Sequence, residues 1–316
     1  MKSAIRSLRS TLQSPSEDGF ALVLTLVVLV LITAMVVEFS YGIYTTTSAL
    51  HNWETSQKLS FVSRSGVTLA IKTISTDIPQ SELYRFPGKM DIPVENILDG
   101  FTGTETVSVE DENAKFNLNS LVSQNGQVDT TSSDAFKSLL GNLGFDENAA
   151  KEITGRIVDW MDIDSIPSEG LSDSEQNAKN AHMDSVDELL MIKGIDRKTY
   201  EKLLPYVTVY GYQGPYNALI NINTASIPVI MSLGISEMQA QEILNYRKLT
   251  PFKTTGELQS AGINPSLINS LQGKIVFSPT NFRITSVAEE NKIKRVIECV
   301  ITTSGLSQTV MSWREM

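Results

Sequence analysis

The chain has 316 residues, 41% of them hydrophobic and 20% charged, which is the make-up of folded protein with length enough for two cores. A net charge of −10 argues against general nucleic-acid binding, which needs clustered Lys and Arg on phosphates. The single cysteine, Cys299, excludes an internal disulfide, and with only His51 and His182 beside it a Cys/His zinc site is excluded too.

The chain starts with a basic leader, Lys2, Arg6 and Arg9, with no acid before Glu17. Residues 20–37 carry no charge and as a helix span about 27 Å, the thickness of a bilayer's hydrocarbon. The positive-inside rule keeps the leader in the cytoplasm and puts the body across the membrane. No small-residue cleavage site follows the apolar run. A proline-free pattern continues instead from Glu38 to about Ile74, with Leu50, Trp53, Gln57, Phe61, Val62 and Leu69 as an irregular helical stripe. The residues alone leave a plain anchor with a stalk open as a reading.

The stretch Ser-Glu-Asp-Gly-Phe-Ala-Leu-Val-Leu at 16–24 resembles the type III signal of type IV pilins and type II secretion pseudopilins. That resemblance implies cleavage by a prepilin peptidase between Gly19 and Phe20, methylation of Phe20, and retention of the apolar helix. Most of the family has a glutamate at the fifth mature position, and here that position is Leu24. The departure resembles the K-type minor pseudopilin, which typically lacks the glutamate. The physics agrees: a carboxylate in the bilayer is costly unless it meets a partner such as the next subunit's amine. Leu24 fits a subunit with no neighbour above it.

Residues 76–100, with Pro79, Pro87, Pro93, Gly88 and Gly100, read as loop with short ordered pieces. Residues 104–118 read as strands around an acidic turn. From Ser132 the period turns helical. Phe136, Leu139, Leu140 and Leu143 form one stripe ended by Gly144, and Ile153, Ile157 and Trp160 form another. Ser185-Val-Asp-Glu188, Ser236-Glu-Met-Gln239 and Thr254-Thr-Gly-Glu257 are capping-box patterns, and residues 196–204 add a short helix before Pro205. Residues 282–287, 295–302 and 308–313 then read as an antiparallel meander.

This order predicts an α+β fold: a pilin-like long N-terminal helix packed on an antiparallel sheet, with a large all-α domain of helix-hairpin-helix or SAM-like type inserted between strands. The expected divisions are a leader at 1–19, the transmembrane and stalk helix at 20–75, the pilin-like domain at 76–129 and 273–316, and the inserted domain at 130–272. The body resembles the K-type minor pseudopilin at Lys115-Phe-Asn-Leu-Asn119, Val158-Asp-Trp-Met-Asp162-Ile-Asp164, Leu203-Leu-Pro-Tyr-Val-Thr208 and Asn221-Ile-Asn-Thr-Ala225.

Residues 159–188 hold nine acids against one base, Lys179. Crowded carboxylates repel unless they are solvated or share a cation, so the residues alone read as a solvated acidic loop or as a calcium loop. Asp162 and Asp164 lie two apart beside Pro167 and Gly170. The family resemblance implies structural calcium here, with Asp162, Asp164, Glu169 and Asp173 as the candidate ligands. The family's usual Gly-Ala-Glu-like run reads Gly170-Leu-Ser-Asp173 in this chain.

Asn221-Ile-Asn-Thr-Ala, Leu233-Gly-Ile and Pro251-Phe-Lys resemble the helix-hairpin-helix modules of DNA-uptake proteins, where hairpin N–H groups and nearby Lys or Arg hold phosphates. This hairpin lacks the second glycine and has Glu237 where positive charge would help, which favours a structural use. No Gly-rich phosphate loop, HExxH, GxSxG or Cys/His pairing appears, so the chain reads as non-enzymatic.

The resemblance therefore implies a K-type minor pseudopilin at the tip of a type II secretion pseudopilus, initiating or capping it and supporting export of folded proteins. It implies a single inner-membrane span with the body in the periplasm. Its partners would be the I-type and J-type minor pseudopilins, the major pseudopilin and the prepilin peptidase, with the secretin or the exported protein as further candidates. The alternatives are a minor pilin priming a type IV pilus or competence filament, and a membrane-tethered helix-hairpin-helix DNA-binding protein.

Overall fold

The computed structural model describes residues 15–94, 101–163, 166–168, 170–171, 178–211, 219–305 and 307–316. The chain divides after Lys58 into two compact units. The first consists, among the described residues, of the early part of helix α1 (Pro15–Lys72). Its side chains from Phe20 to Val37 are exposed, as an apolar span is when no bilayer or neighbour covers it. Thr25 and Thr33 donate their hydroxyls to backbone carbonyls three or four residues back, so neither brings an unmatched polar group into the span.

In the second unit the end of α1 packs on a sheet through Leu59, Val62, Val67, Ala70 and Ile74. Gly66 lets the backbone approach: a Cβ there would collide with Glu105 and Val107. The expected stripe thus divides, with Val62 buried and Leu50, Trp53 and Phe61 exposed. A π-helical turn, Thr73–Asp77, ends the helix, and a short α2 (Gln80–Leu83) follows.

The sheet has five antiparallel strands in the order β1-β2-β7-β8-β9: Lys89–Ile92, Thr104–Asp111, Asn281–Glu290, Ile293–Ser304 and Ser307–Glu315. The register aligns Met90, Val109, Ile284, Cys299 and Trp313 in one row. Its central members are wholly buried, and with Ile297, Ile301 and Phe282 they share a core with α1. Asn291 and Lys292, at φ 53° and 67°, make the tight β7–β8 turn whose twist matches the strands it joins.

The chain leaves the sheet at Asp111 and returns at Asn281. The residues between them form the largest core. This inserted block is built twice. Its first half runs β3 (Phe116–Asn117), α3 (Thr130–Asn142), α4 (Glu147–Met161), a 3₁₀ helix (Val186–Met191), α5 (Arg197–Leu203) and β4 (Val207–Thr208). The second runs β5 (Ile220–Asn221), α6 (Ile227–Met231), α7 (Glu237–Leu249), a 3₁₀ helix (Thr255–Ala261), α8 (Pro265–Leu271) and β6 (Ile275–Val276). Each half closes by pairing its first strand with its last, in parallel. Among the described residues the block's regular structure is helical except for these two small strand pairs and an isolated bridge between Val122 and Val128.

The capping predictions meet different fates. Ser185 and Glu188 form a full capping box, on a 3₁₀ helix, and Ser236 and Gln239 form one on α7. Thr254 is an N-cap without a side-chain bond, because Glu257 accepts the N–H of Lys253 (2.7 Å) instead.

Candidate functional site

Four helices of the inserted block begin with one local device: a glycine in the left-handed region, a buried or half-buried apolar residue, and a side-chain cap. The triplets are Gly144-Phe145-Asp146, Gly194-Ile195-Asp196, Gly234-Ile235-Ser236 and Gly262-Ile263-Asn264, with φ of 80°, 90°, 85° and 78°. Glycine is needed because the chain reverses there with positive φ. The third residue accepts from the N–H three positions on: Ala149 to Asp146 (2.9 Å), Thr199 to Asp196 (2.8 Å), Gln239 to Ser236 (3.4 Å) and Leu267 to Asn264 (2.8 Å). In a phosphate-binding hairpin such N–H groups face the ligand. Here the chain's own oxygens take one at every hairpin, and at two of them the oxygen is anionic.

Two asparagines lock the halves in the same way. Asn119 donates to the carbonyls of Met183 (2.9 Å) and Val209 (3.0 Å) and accepts from Met183 N (2.8 Å). Asn223 donates to Phe252 (2.8 Å) and Phe277 (2.7 Å) and accepts from Phe252 N (2.9 Å). Each ties the start of its half to the connector before the 3₁₀ helix and to the closing strand.

Both halves meet the sheet at Asp111-Glu112-Asn113, a buried node that sequence reasoning reads only as an acidic turn. Asp111 accepts from Asn221 Nδ2 (2.8 Å) and Thr224 Oγ1 (2.6 Å), holding the second half. Burial pushes its carboxyl up to about 6, against the pull of those donors. Glu112 accepts from Arg283 Nε (2.7 Å), Lys115 Nζ (2.9 Å) and the Thr208 hydroxyl of the first half. Burial alone would raise Glu112, but Lys115 and Arg283 outweigh it and hold it at about 2. Asn113 Oδ1 accepts from the returning strand at Thr280 N and Asn281 N, both 2.9 Å.

In the acidic stretch, several carboxylates already have protein partners. Asp159 accepts from the backbone N–H (2.9 Å) and hydroxyl of Ser168. Lys179 bridges Asp184 (2.7 Å) and Glu188 (2.9 Å), and Trp160 Nε1 adds a bond to Glu188 (3.0 Å). Burial pushes Glu188 up, but these donors hold it below the usual carboxylate range. Asp187 bonds Tyr200 (2.6 Å) and Arg314 of β9, which ties the first half to the sheet's edge. Asp162, just past α4, is buried. Asp164, Glu169 and Asp173 lie outside the described residues, and among the described ones no three Asp, Glu, His or Cys side chains gather as a metal site. His182 bonds the Val122 carbonyl (2.8 Å).

At the other end of the chain, the Gly19–Phe20 bond lies inside α1, with Phe20 and Leu24 exposed.

Comparison with known proteins follows the same internal division. Residues 114–212 match the family described as "Type II secretion system (T2SS), protein K", and residues 216–276 match the helix-hairpin-helix motif. Among curated proteins, type II secretion system protein K of Pseudomonas aeruginosa is 32% identical over 162 residues, 48% of this chain and 47% of that protein. The chain thus spans about half the length of that relative. Its counterpart in Pectobacterium carotovorum subsp. carotovorum is 27% identical over 274 residues, 76% of this chain and 79% of the other. Among solved structures, a chain of the GspK-GspI-GspJ complex from the enterotoxigenic Escherichia coli type 2 secretion system superposes with a TM-score of 0.65 at 18% identity, covering 84% of this chain and 98% of that one.

Proposed function

We propose that this chain is a type II secretion system protein K and works as a minor pseudopilin at the tip of a periplasmic pseudopilus. One observation carries the reading: a free apolar helix, a five-stranded sheet and a doubled helical block occur together in a single chain. The apolar helix holds the subunit in the inner membrane, a prepilin peptidase cuts between Gly19 and Phe20, and Phe20 is methylated. Leu24 carries no charge that an upper neighbour's amine would answer. The block at residues 116–277 is too bulky to accept another subunit above it, so the subunit starts or caps the filament. Its role is structural, not catalytic. The partners are the I-type and J-type minor pseudopilins, with the major pseudopilin below them and the secretin or exported protein at the tip. The self-capped hairpins speak against the DNA-binding alternative.

Calcium in the acidic connector belongs to the same proposal. Buried Asp162 supplies one carboxylate, and Asp164, Glu169 and Asp173 are the other candidate ligands. Calcium suits such an oxygen-rich loop, where it would join segments that repel one another. Chelation by EDTA is expected to lower the melting temperature of residues 59–316, with calcium restoring it. An unchanged melting temperature removes calcium from the account.

The partner assignment is tested by co-purifying residues 59–316 with the soluble parts of the I-type and J-type subunits. A ternary complex is the expected result, and separate elution of all three removes the tip assignment's main support.

A further inference from the structure

The sheet has two edge strands, and they are finished differently. β1 is four residues long and carries Asp91 and Lys89, the latter paired with Glu110 (2.8 Å). Short length and charge are the usual guards against a foreign strand. β9 is nine residues long and contains no lysine or proline. Its two charges are engaged within the chain, Arg314 by Asp187 and Glu298, and Glu315 by Arg64. Its exposed side chains are largely apolar, with Val310, Met311 and Trp313 53%, 41% and 41% exposed.

The backbone of β9 has hydrogen-bonding groups turned away from the sheet. Val296 and Met316 exchange both backbone bonds (3.0 and 2.8 Å). By the alternation of an antiparallel ladder, Glu298–Arg314 and Val300–Ser312 are the next bonded pairs. Trp313 and Glu315 therefore point their N–H and C=O groups away from β8. Met311 is a bulge, opposite no residue of β8. Beyond it, Thr303 gives its N–H to Thr280 (2.8 Å) on the β7 side. That makes Thr302–Thr309 the bonded pair and turns Val310 outward as well. Val310 and Trp313 lie opposite Ile301 and Cys299, so both side chains stand on the sheet face that packs on α1.

We propose that β9 is a docking edge for one extended, flexible segment of another polypeptide, which adds antiparallel as a sixth strand of the five-stranded sheet. The bulge decides between a flexible and a rigid occupant. It bends and twists the edge, so a straight sheet edge cannot follow the strand on both sides of Met311. A flexible segment can. Because both charges of β9 are already engaged, the matching face of the segment is uncharged. Its register is set by the bulge, where two residues of β9 oppose one of the partner. A β-branched residue therefore meets Trp313, and an aromatic residue two positions later meets Val310. The inference stands apart from the minor pseudopilin reading.

The probe is the neutral peptide acetyl-Ser-Thr-Val-Thr-Tyr-Thr-Ser-amide, added at about 1 mM to the full-length chain in detergent. Residue-resolved hydrogen exchange reads the result. The amides of Val310, Trp313 and Glu315 are expected to exchange at least about threefold more slowly with the peptide present. The same peptide methylated on the backbone nitrogens of its Val and Tyr should give no protection. Val310→Pro removes one outward N–H at a position where an edge strand tolerates proline. It is expected to abolish protection at Trp313 and Glu315 while exchange in β7 and β8 stays unchanged, which shows that the sheet is intact. Absence of protection at all three amides overturns the proposal, as does equal protection by the methylated peptide or in the proline variant. Protection that grows with the chain's own concentration, without peptide, makes the occupant a second copy and overturns it too.

Discussion

In the first half of the inserted block, residues 162–185 connect α4 to its 3₁₀ helix; in the second half residues 250–254 connect α7 to its own. The two halves otherwise share their strand pairing, their glycine hairpins and their asparagine locks. Since the second half closes its core with the short connector, the extra length in the first is not needed for closure. The acids near the ends of that stretch, Asp159, Asp184, Asp187 and Glu188, are tied to Ser168, Lys179, Arg314 and Trp160, so they fasten the connector. The halves also attach to the sheet by different physics. The first is held through Glu112 and ion pairs, the second through neutral donors on Asp111.

That difference is most sharply tested by Glu112→Ala. It removes the fully buried carboxylate that Arg283 and Lys115 share, leaving Arg283 with Glu298 alone, and is expected to cost about 3–5 kcal/mol in urea denaturation of residues 59–316. A loss below ~1 kcal/mol would mean that the first half is not anchored by this charge network.

Titration separates the two anchors next. Asp111 is raised from 3.8 to about 6, so the folded state binds this proton more tightly than the unfolded chain does. Its contribution is full below 3.8 and is lost as pH rises through 6, by up to about 3 kcal/mol. Glu112, lowered from 4.5 to about 2, contributes fully above 4.5 and loses this as pH falls through 2. Asp111→Asn should therefore flatten the stability profile between pH 4 and 7. Parallel profiles for the variant and the unaltered protein would contradict the buried-carboxylate account.

If the halves are equivalent scaffolds, Asn119→Ala and Asn223→Ala should each cost about 2–3 kcal/mol and agree within ~1, because each removes three hydrogen bonds of the same pattern. A large disparity in denaturation midpoints breaks the equivalence. The smallest effect is expected from replacing residues 172–177 with Gly-Gly in calcium-free buffer, a change of about 1 kcal/mol or less because loop closure depends weakly on length. Global unfolding of that variant would show the long connector to be part of the core after all.

The elements that could be read from the sequence rest on local signals. The charge-free span, the meander strands and the capping boxes at Ser185 and Ser236 depend on residues within a few positions of one another. Thr254 misled because the same four-residue pattern lets Glu257 reach Lys253 N instead. The node at residues 111–113 was not legible, since Asp111 meets Asn221 and Glu112 meets Arg283 across the whole insertion. In sequence the acidic stretch reads as a solvated or calcium-binding loop, because Arg314, far along the chain, is invisible as a partner of Asp187. The duplication did leave a trace, in Phe116-Asn-Leu-Asn119 against Ile220-Asn-Ile-Asn223 and in the recurring Gly-apolar-cap triplets. Self-similarity of this kind marks a duplicated supersecondary unit.

The proposed tip role requires a span that stays with the mature subunit, and mass spectrometry of the mature N-terminus in its native membrane reads this directly. A chain beginning at Phe20 and bearing one methyl group on its amine is the predicted result. A chain that begins beyond Val37 has lost its anchor and contradicts the pseudopilin reading.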